Sequence, residues 1–345
     1  MSDIRLSIIL PCYRVEKYLR RCLDSLLDQT MEGIELVCVH DGSPDGCLSI
    51  LREYEEGHKG RIIVIDQENA GVWKARLRGV EAAKGEYIGF VDPDDWVRKD
   101  YAGQLYRTAK ERDADIACCG FDRIDAETGR LYSREMTRFP YDVFDIREEP
   151  GLLLEVNVAV WNKIYRRELF GRIPAFREIP KVLDDMPFSQ LIMLNAGRIA
   201  FARESLICYT VRQDSIISNL KPENIPGVYE AAKELRDVFK REKPERLPFL
   251  DAFMFLHLGI SMMHRVAESG QAALKKALRE NNRFLDAEFP GWRKNPYIRL
   301  SYVLGHRGAN RKLYTVRRIY GLGLARPFLT VYDFLIDRLG VNIKW

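Results

Sequence analysis

The 345-residue chain lacks paired Cys-x-x-Cys spacing, although it holds seven cysteines. Cys12, Cys22, Cys38, Cys47, Cys118, Cys119 and Cys208 are scattered, odd in number and mostly inside apolar runs. That pattern argues against a zinc site or a disulfide framework, and for reduced core thiols in a cytosolic protein. No Gly-x-Gly-x-x-Gly opens the first helix, which excludes a dinucleotide oxidoreductase. The turn after the first strand, Pro11-Cys12-Tyr13-Arg14-Val15, contains no glycine, so the Gly-rich phosphate loop expected of a sugar nucleotidyltransferase is missing. Met1-Ser2-Asp3-Ile4-Arg5 leads straight into a strand, so no signal peptide is expected. The longest apolar stretch, Ala252 to Met263, contains His257 and is bounded by Asp251 and His264, and reads as too short and too polar to span a bilayer. Acidic residues are absent from Phe289 to Tyr332.

Of what is present, Gly85-Glu86-Tyr87-Ile88-Gly89-Phe90-Val91-Asp92-Pro93-Asp94-Asp95 is the most informative segment. An apolar strand runs into three carboxylates within four positions. Carboxylates that close together in low dielectric need a cation to offset their repulsion. Hard oxygen ligands in a small cluster suit Mg²⁺ or Mn²⁺, which take one or two protein carboxylates and complete their shell with water and substrate phosphates. The implied substrate is a diphosphate. Taken alone, the segment is equally compatible with a solvated Asp-Pro-Asp turn.

Short apolar strands alternate with amphipathic helices through the first half. Leu6–Leu10, Ile34–Val39, Ile62–Ile65, Tyr87–Val91 and Ile116–Cys119 read as strands. Val15, Tyr18, Leu19, Cys22, Leu23, Leu26 and Leu27 fall on one helical face. This rhythm predicts an α/β fold with a mostly parallel sheet covered on both faces, whose ligands sit at the carboxyl ends of its strands. Three polar clusters fall at those ends: Pro11 to Arg14, His40 to Asp45, and Asp92 to Asp95. A carboxylate at Asp41 can accept from a uracil or guanine ring N–H, and Gly42 allows close backbone approach. Lys74 and Arg76 lie in the first turns of a helix, where cations could meet a diphosphate or simply face solvent.

These residues carry a family resemblance. Ser7 to Tyr13, Val39 to Asp45, Asn69-Ala70-Gly71 with Ala75-Arg76, and Gly85 to Asp95 resemble, in that order, glycosyltransferase family 2. The resemblance continues through Val160 to Phe170, Asp184 to Phe188, and Tyr209 to Arg212 with Ser215-Ile216. It implies an inverting, metal-dependent enzyme of GT-A fold using a nucleotide sugar. By position, Pro11, Tyr13 and Asp41 would hold the nucleoside, Arg76 the diphosphate, and Asp94 with Asp92 the metal. Asp185, beside Asp184, matches the catalytic base, and Trp161 the donor-sugar and acceptor pocket. Departures from the family pattern are Arg14 for Asn, His40 for Asp, Leu77 for Asn and Asp184 for Glu. The alternatives are a sugar nucleotidyltransferase, which the glycine-free first turn disfavours, and a non-catalytic sugar-nucleotide- or carbohydrate-binding descendant, which intact Asp92, Asp94 and Asp185 disfavour.

After about residue 220 the pattern is helical, so residues 1–219 are expected to form the catalytic domain and 220–345 a helical one. His257 and His264 share a helical face without a carboxylate partner, which favours core packing over a ligand pair. The acid-free stretch holds nine cations, so against a net charge of +4 the remainder of the chain carries −5. With tyrosines interleaved and Phe328, Leu329, Tyr332, Leu335, Ile336 and Leu339 on one face, residues 289–345 suit an anionic membrane surface or a basic face packed on the catalytic domain. No nucleic-acid motif accompanies the charge. The expected donor is a UDP-sugar and the expected acceptor a glycan hydroxyl, lipid-linked, as in bacterial surface-polysaccharide synthesis.

Overall fold

The computed structural model describes residues 4–211, 222–268, 270–306 and 308–339. They divide into two compact units. The first comprises Met1–Asp145, Ala159–Ile173 and Phe188–Gln213, the second Ile146–Val158, Pro174–Pro187 and Asp214–Trp345. The division differs from the expected split at 219/220, because two short segments from before residue 220 find their partners among the later helices. In the second unit the Asn310 amide donates to the Gly151 carbonyl (3.2 Å), and the Arg177 and Glu178 backbone amides donate to the Glu234 carboxylate (3.0 and 2.7 Å to Oε2).

The first unit is built on a ten-stranded sheet. In chain order its strands are β1 (Leu6–Cys12), β2 (Ile34–Asp41), β3 (Ile62–Gln67), β4 (Tyr87–Phe90), β5 (Trp96–Val97), β6 (Ile116–Asp125), β7 (Leu131–Glu135), β8 (Val143–Asp145), β9 (Lys163–Arg166) and β10 (Arg198–Val211). Their spatial order is β3-β2-β1-β4-β9-β6-β10-β5, with β7 on β6 and β8 on β10. The expected parallel arrangement holds for β3-β2-β1-β4 and for β10 on β6, while β9 runs antiparallel between β4 and β6. Every residue of β1 and β2 is buried, as a parallel sheet covered on both faces requires.

Helices α1 (Glu16–Leu27), α2 (Cys47–Gly57), α3 (Val72–Ala82) and α4 (Tyr101–Glu111) supply the cover. α1 buries Leu19, Cys22, Leu23 and Leu26, the expected apolar face. α3 approaches β1 so closely that a Cβ at Gly79 would collide with Ile9. Glycine at that position lets the helix carrying Arg76 lie flat on the sheet. All seven cysteines are free and buried, and burial pushes the Cys38 thiol up to about 12.

The helix α5 (Asp185–Met193) precedes β10. The second unit contains α6 (Ile225–Glu242), α7 (Leu247–Met254), α8 (Met263–Ala267), α9 (Gln271–Glu288), α10 (Leu300–Gly305), α11 (Ala309–Gly321) and α12 (Ala325–Leu339). A π-helical stretch, Phe255–Met262, joins α7 to α8. By length and composition the helical run Pro244–Ala267 is long and apolar enough to cross a membrane, contrary to the sequence expectation, but 72% of its most apolar window is buried within the chain. That burial is the signature of a core helix. His257 packs on Phe253 (4.3 Å between ring centroids) and His264 on Tyr332 (4.8 Å), so each histidine has an aromatic neighbour in the core.

Part of the apolar face expected to meet a membrane therefore packs inward, since Leu329 and Tyr332 of α12 are buried. The side chains of Leu335, Ile336 and Leu339 lie outside the described residues. Among the described residues of the second unit the exposed leucines are different ones: Leu300 and Leu304 on α10, and Leu322 and Leu324 before α12.

Candidate active site

Parallel strands expose their last backbone groups at one edge, and the three polar clusters named from the sequence lie there. β1 ends at Cys12, leaving Tyr13 41% exposed just beyond Pro11, with the Arg14 guanidinium 5.3 Å from its ring centroid. An aromatic face so placed can stack on a planar base.

β2 ends at Asp41, which is 2% exposed. Its Oδ1 accepts from the Ala70 amide (2.8 Å) and the Gln67 side-chain amide (2.8 Å), and its Oδ2 accepts from the Gly71 amide (2.9 Å). The Asn69 side chain donates to the Asp41 carbonyl (2.9 Å). Asp41 thus fixes the loop Asn69-Ala70-Gly71 against the end of its own strand. Gly42 follows at φ +59°, with the Asn69 amide nitrogen 2.6 Å from where a Cβ would stand, so glycine is required by both conformation and space. Loop and turn form one hydrogen-bonded wall.

That loop feeds α3, in which Arg76 is 3% exposed and not the solvated cation that a basic helix start might be. Its Nη2 lies 3.5 Å from Asp92 Oδ1, and its guanidinium stands 5.7 Å from the Phe188 ring centroid. Phe188 packs edge-on against Trp73 (4.7 Å) and Phe90 (5.8 Å). Lys74, by contrast, is exposed.

Just beyond β4 the chain turns through Asp92-Pro93-Asp94-Asp95, with the Asp95 amide donating to the Asp92 carbonyl (2.9 Å). The three carboxylates separate by environment. Asp95 is 2% exposed and its Oδ1 accepts from the Thr210 amide (2.7 Å), while the Thr210 hydroxyl donates to the Asp94 carbonyl (2.7 Å). Burial, then the charges of Asp94 and Asp92, push the Asp95 carboxyl well above the usual carboxylate range. Asp95 is a brace between the turn and β10. Asp92 and Asp94 are only partly buried. Among the described residues no group of three or more His, Cys, Asp or Glu side chains is placed to hold a metal. Two part-exposed carboxylates still fit Mg²⁺ or Mn²⁺, which rely on substrate phosphate and water for the rest of their shell.

Trp161 is buried, stacked on Tyr209 (5.2 Å, 16° between planes) and edge-on to Phe121 (4.8 Å). Tyr209 and Thr210 were not singled out as site residues from the sequence. Burial first, then Asp95, Asp92 and Asp94, push the Tyr209 hydroxyl up to about 12, marking it as a neighbour of the acidic turn. Their signal was available: both lie near the end of a strand, as the other site residues do. Asp184 and Asp185 belong to the second unit, where Asp185 opens α5 in the position that favours an acidic side chain. Arg212, Ser215 and Ile216 lie outside the described residues.

Comparison with known proteins agrees with the fold. Residues 7–173 match the model of glycosyl transferase family 2. The chain is 32% identical to EpsH of Bacillus subtilis over 288 residues, covering 81% of this chain and 82% of EpsH. It is 34% identical over 224 residues to the glycosyltransferase GlyA of Streptococcus pneumoniae, covering 63% of this chain but only 32% of GlyA's length. In fold it is similar to residues 1–349 of S. aureus TarS, crystallised with UDP-GlcNAc, at a TM-score of 0.66 and 24% identity over 92% of each chain. With the sheet edge and the chain-wide match to EpsH in hand, the chain belongs to glycosyltransferase family 2 and is a glycosyltransferase.

Proposed function

We propose that the chain transfers a sugar from a UDP-sugar to a hydroxyl of a glycan acceptor, inverting the anomeric centre, with Mn²⁺ or Mg²⁺ held by Asp94 and Asp92. The observation that carries this reading is the shared edge of β1, β2 and β4, which brings together an exposed aromatic, a braced turn and loop, a buried guanidinium and two part-exposed carboxylates. A UDP-GlcNAc complex of the structurally similar TarS supports the choice of nucleotide.

Each group has a task that its chemistry allows. Tyr13 stacks on the base while Pro11 and the Asp41-braced turn bound its edge. Arg76 meets negative charge growing on the departing diphosphate; its burial keeps that interaction undiluted by water. A bound divalent cation would supply further stabilisation of the same charge. Asp185 accepts the proton from the acceptor hydroxyl, with Asp184 beside it, and Trp161 with Tyr209 shapes the sugar-facing wall. Attack from the face opposite the leaving group would give a β-linkage from an α-linked donor.

The acceptor in this reading is lipid-linked and the enzyme works peripherally at the inner face of an anionic membrane. Exposed Arg299, Arg311, Lys312, Arg318 and Arg326, together with the exposed leucines of α10 and of the turn before α12, support attachment through the second unit. Each cation near such a surface contributes about 1 kcal/mol. Co-sedimentation with anionic vesicles at low salt tests it, and protein that remains in the supernatant refutes it.

The decisive test of the transfer itself is Asp185→Asn, assayed with UDP-, GDP- and dTDP-sugars. Donor affinity should survive while transfer falls by roughly 10²–10⁴, the weight of a general base. Unchanged transfer would remove Asp185 from this role, and hydrolysis of a GDP-sugar alone would overturn the choice of UDP.

A further inference from the structure

The family resemblance puts an aspartate where this chain has His40, and the structure shows what the histidine does there. His40 is the penultimate residue of β2, 5% exposed, in register with Cys12 of β1 and Asp66 of β3. Its Nε2 lies 3.1 Å from the Ser43 backbone nitrogen, and its Nδ1 lies 2.6 Å from Asp66 Oδ1. A backbone amide can only donate, so Nε2 must be the acceptor and carry no proton. Nδ1 then bears the hydrogen and donates to Asp66. Chemistry therefore fixes the imidazole as the neutral Nδ1–H form.

The bond to Ser43 closes the turn that begins at Asp41. Ser43 extends the network: its hydroxyl accepts from the Arg14 amide (2.7 Å) and donates to Asp45 Oδ1 (2.6 Å). One histidine thus links the end of β2, the Gly42 turn and the residue after Tyr13. Proton uptake at Nε2 would set an N–H against the Ser43 N–H and release the turn. The charged group directly against the ring is Asp66, whose side chain is 45% exposed, with Asp45 reached through Ser43; Cys12 is a buried thiol.

We propose that His40 is a positioning residue that braces the Asp41–Ser43 turn only when neutral, making occupancy of the nucleoside site acid-sensitive. The binding part of this inference rests on the donor reading above; the bracing part does not. An aspartate at the same position would remain an acceptor throughout the physiological range.

Two measurements test the two parts. In ¹⁵N-histidine NMR of the full chain, His40 should show the Nδ1–H form near neutral pH, and exchange protection of the Ser43 amide should fall in step with the titration of His40. An Nε2–H form, or a Ser43 amide indifferent to that titration, overturns the bracing. Calorimetric titration of UDP-GlcNAc with Mn²⁺ between about pH 8 and pH 5.5 reads the consequence: once His40 protonates, affinity should fall about tenfold per pH unit, while His40→Gln, which offers an acceptor without titrating, removes that slope. Parallel slopes in both proteins overturn the link to binding. Absence of binding at every pH, with the NMR signature intact, refutes the donor reading and leaves the bracing established.

Discussion

Asp41 and Asp94 are the same side chain just inside and just beyond the ends of two strands that flank β1, and their surroundings give them opposite tasks. Asp41 is buried and accepts three hydrogen bonds from its own chain, two of them from consecutive backbone amides. Asp94 is part-exposed, and it is the turn's backbone that is tied down, through the bond from Thr210 to the Asp94 carbonyl. A carboxylate ringed by amides belongs to the fold, since removing it strands several donors. A part-exposed carboxylate whose backbone is fixed is poised for a ligand, with the entropy of the turn's placement already met by folding.

The largest expected effect separates the two. Asp94→Asn should abolish the metal-dependent part of donor binding and leave the chain folded, since the turn is held through its backbone by Thr210. Calorimetric titration of UDP-GlcNAc with Mn²⁺ and with EDTA, beside thermal unfolding, reads both. A large stability loss with binding intact would break the comparison.

Asp41→Asn should do the reverse, with stability falling first. The asparagine amide would face backbone donors that a carboxylate satisfied, a loss of about 1.5–3 kcal/mol for charge-assisted bonds. Donor affinity should then decline as a consequence of the loosened Asn69–Gly71 loop. Chemical denaturation resolves the order of events. Binding lost without any loss of stability would make Asp41 a direct ligand of the base and not a brace.

Arg76 sharpens the distinction because it belongs to both classes, buried like Asp41 yet close to Asp92 like a ligand group. Arg76→Lys keeps the charge and loses the planar fork, so donor affinity should fall roughly tenfold with folding retained. Equal affinity for UDP in both proteins would mean that the guanidinium serves packing against Phe188 alone.

How much of this was legible before any coordinates depended on where the information resides. Local pattern revealed the parallel half of the sheet, because continuous apolar runs such as Leu6–Leu10 and Ile34–Val39 are what a doubly covered sheet needs. Motif order gave the edge and its carboxylates. What Asp95 does was hidden, since its partner Thr210 is 115 residues away and reaches it only through β10. The same holds for Gly151, whose missing side chain makes room for Tyr297 and Tyr302 in the second unit. The apolar face of α12 misled for a related reason: periodicity shows that a face exists, but only packing shows that Leu329 and Tyr332 are spent on the core. Long-range pairing leaves no trace in composition or spacing.

The smallest expected effect lies at Tyr13, where the comparison can be tested on a residue that contributes to the ligand alone. At 41% exposure, with the Arg14 guanidinium beside its ring, Tyr13 supports little of the core. Tyr13→Ala should therefore leave stability within about 0.5 kcal/mol of wild type. Stacking between an aromatic side chain and a base contributes about 1–3 kcal/mol, and a ring open to solvent and already beside a guanidinium should fall at the low end. A loss of about 1 kcal/mol corresponds to roughly fivefold in affinity. Because stacking is indifferent to the identity of the base, UDP and GDP should weaken alike, whereas a residue that reads the base edge would weaken one more than the other. Calorimetric titration of both nucleotides against wild type and Tyr13→Ala measures it. A selective loss of UDP binding would move base recognition from the braced turn to Tyr13, and a drop in stability would show that the exposed ring is part of the wall that Asp41 builds.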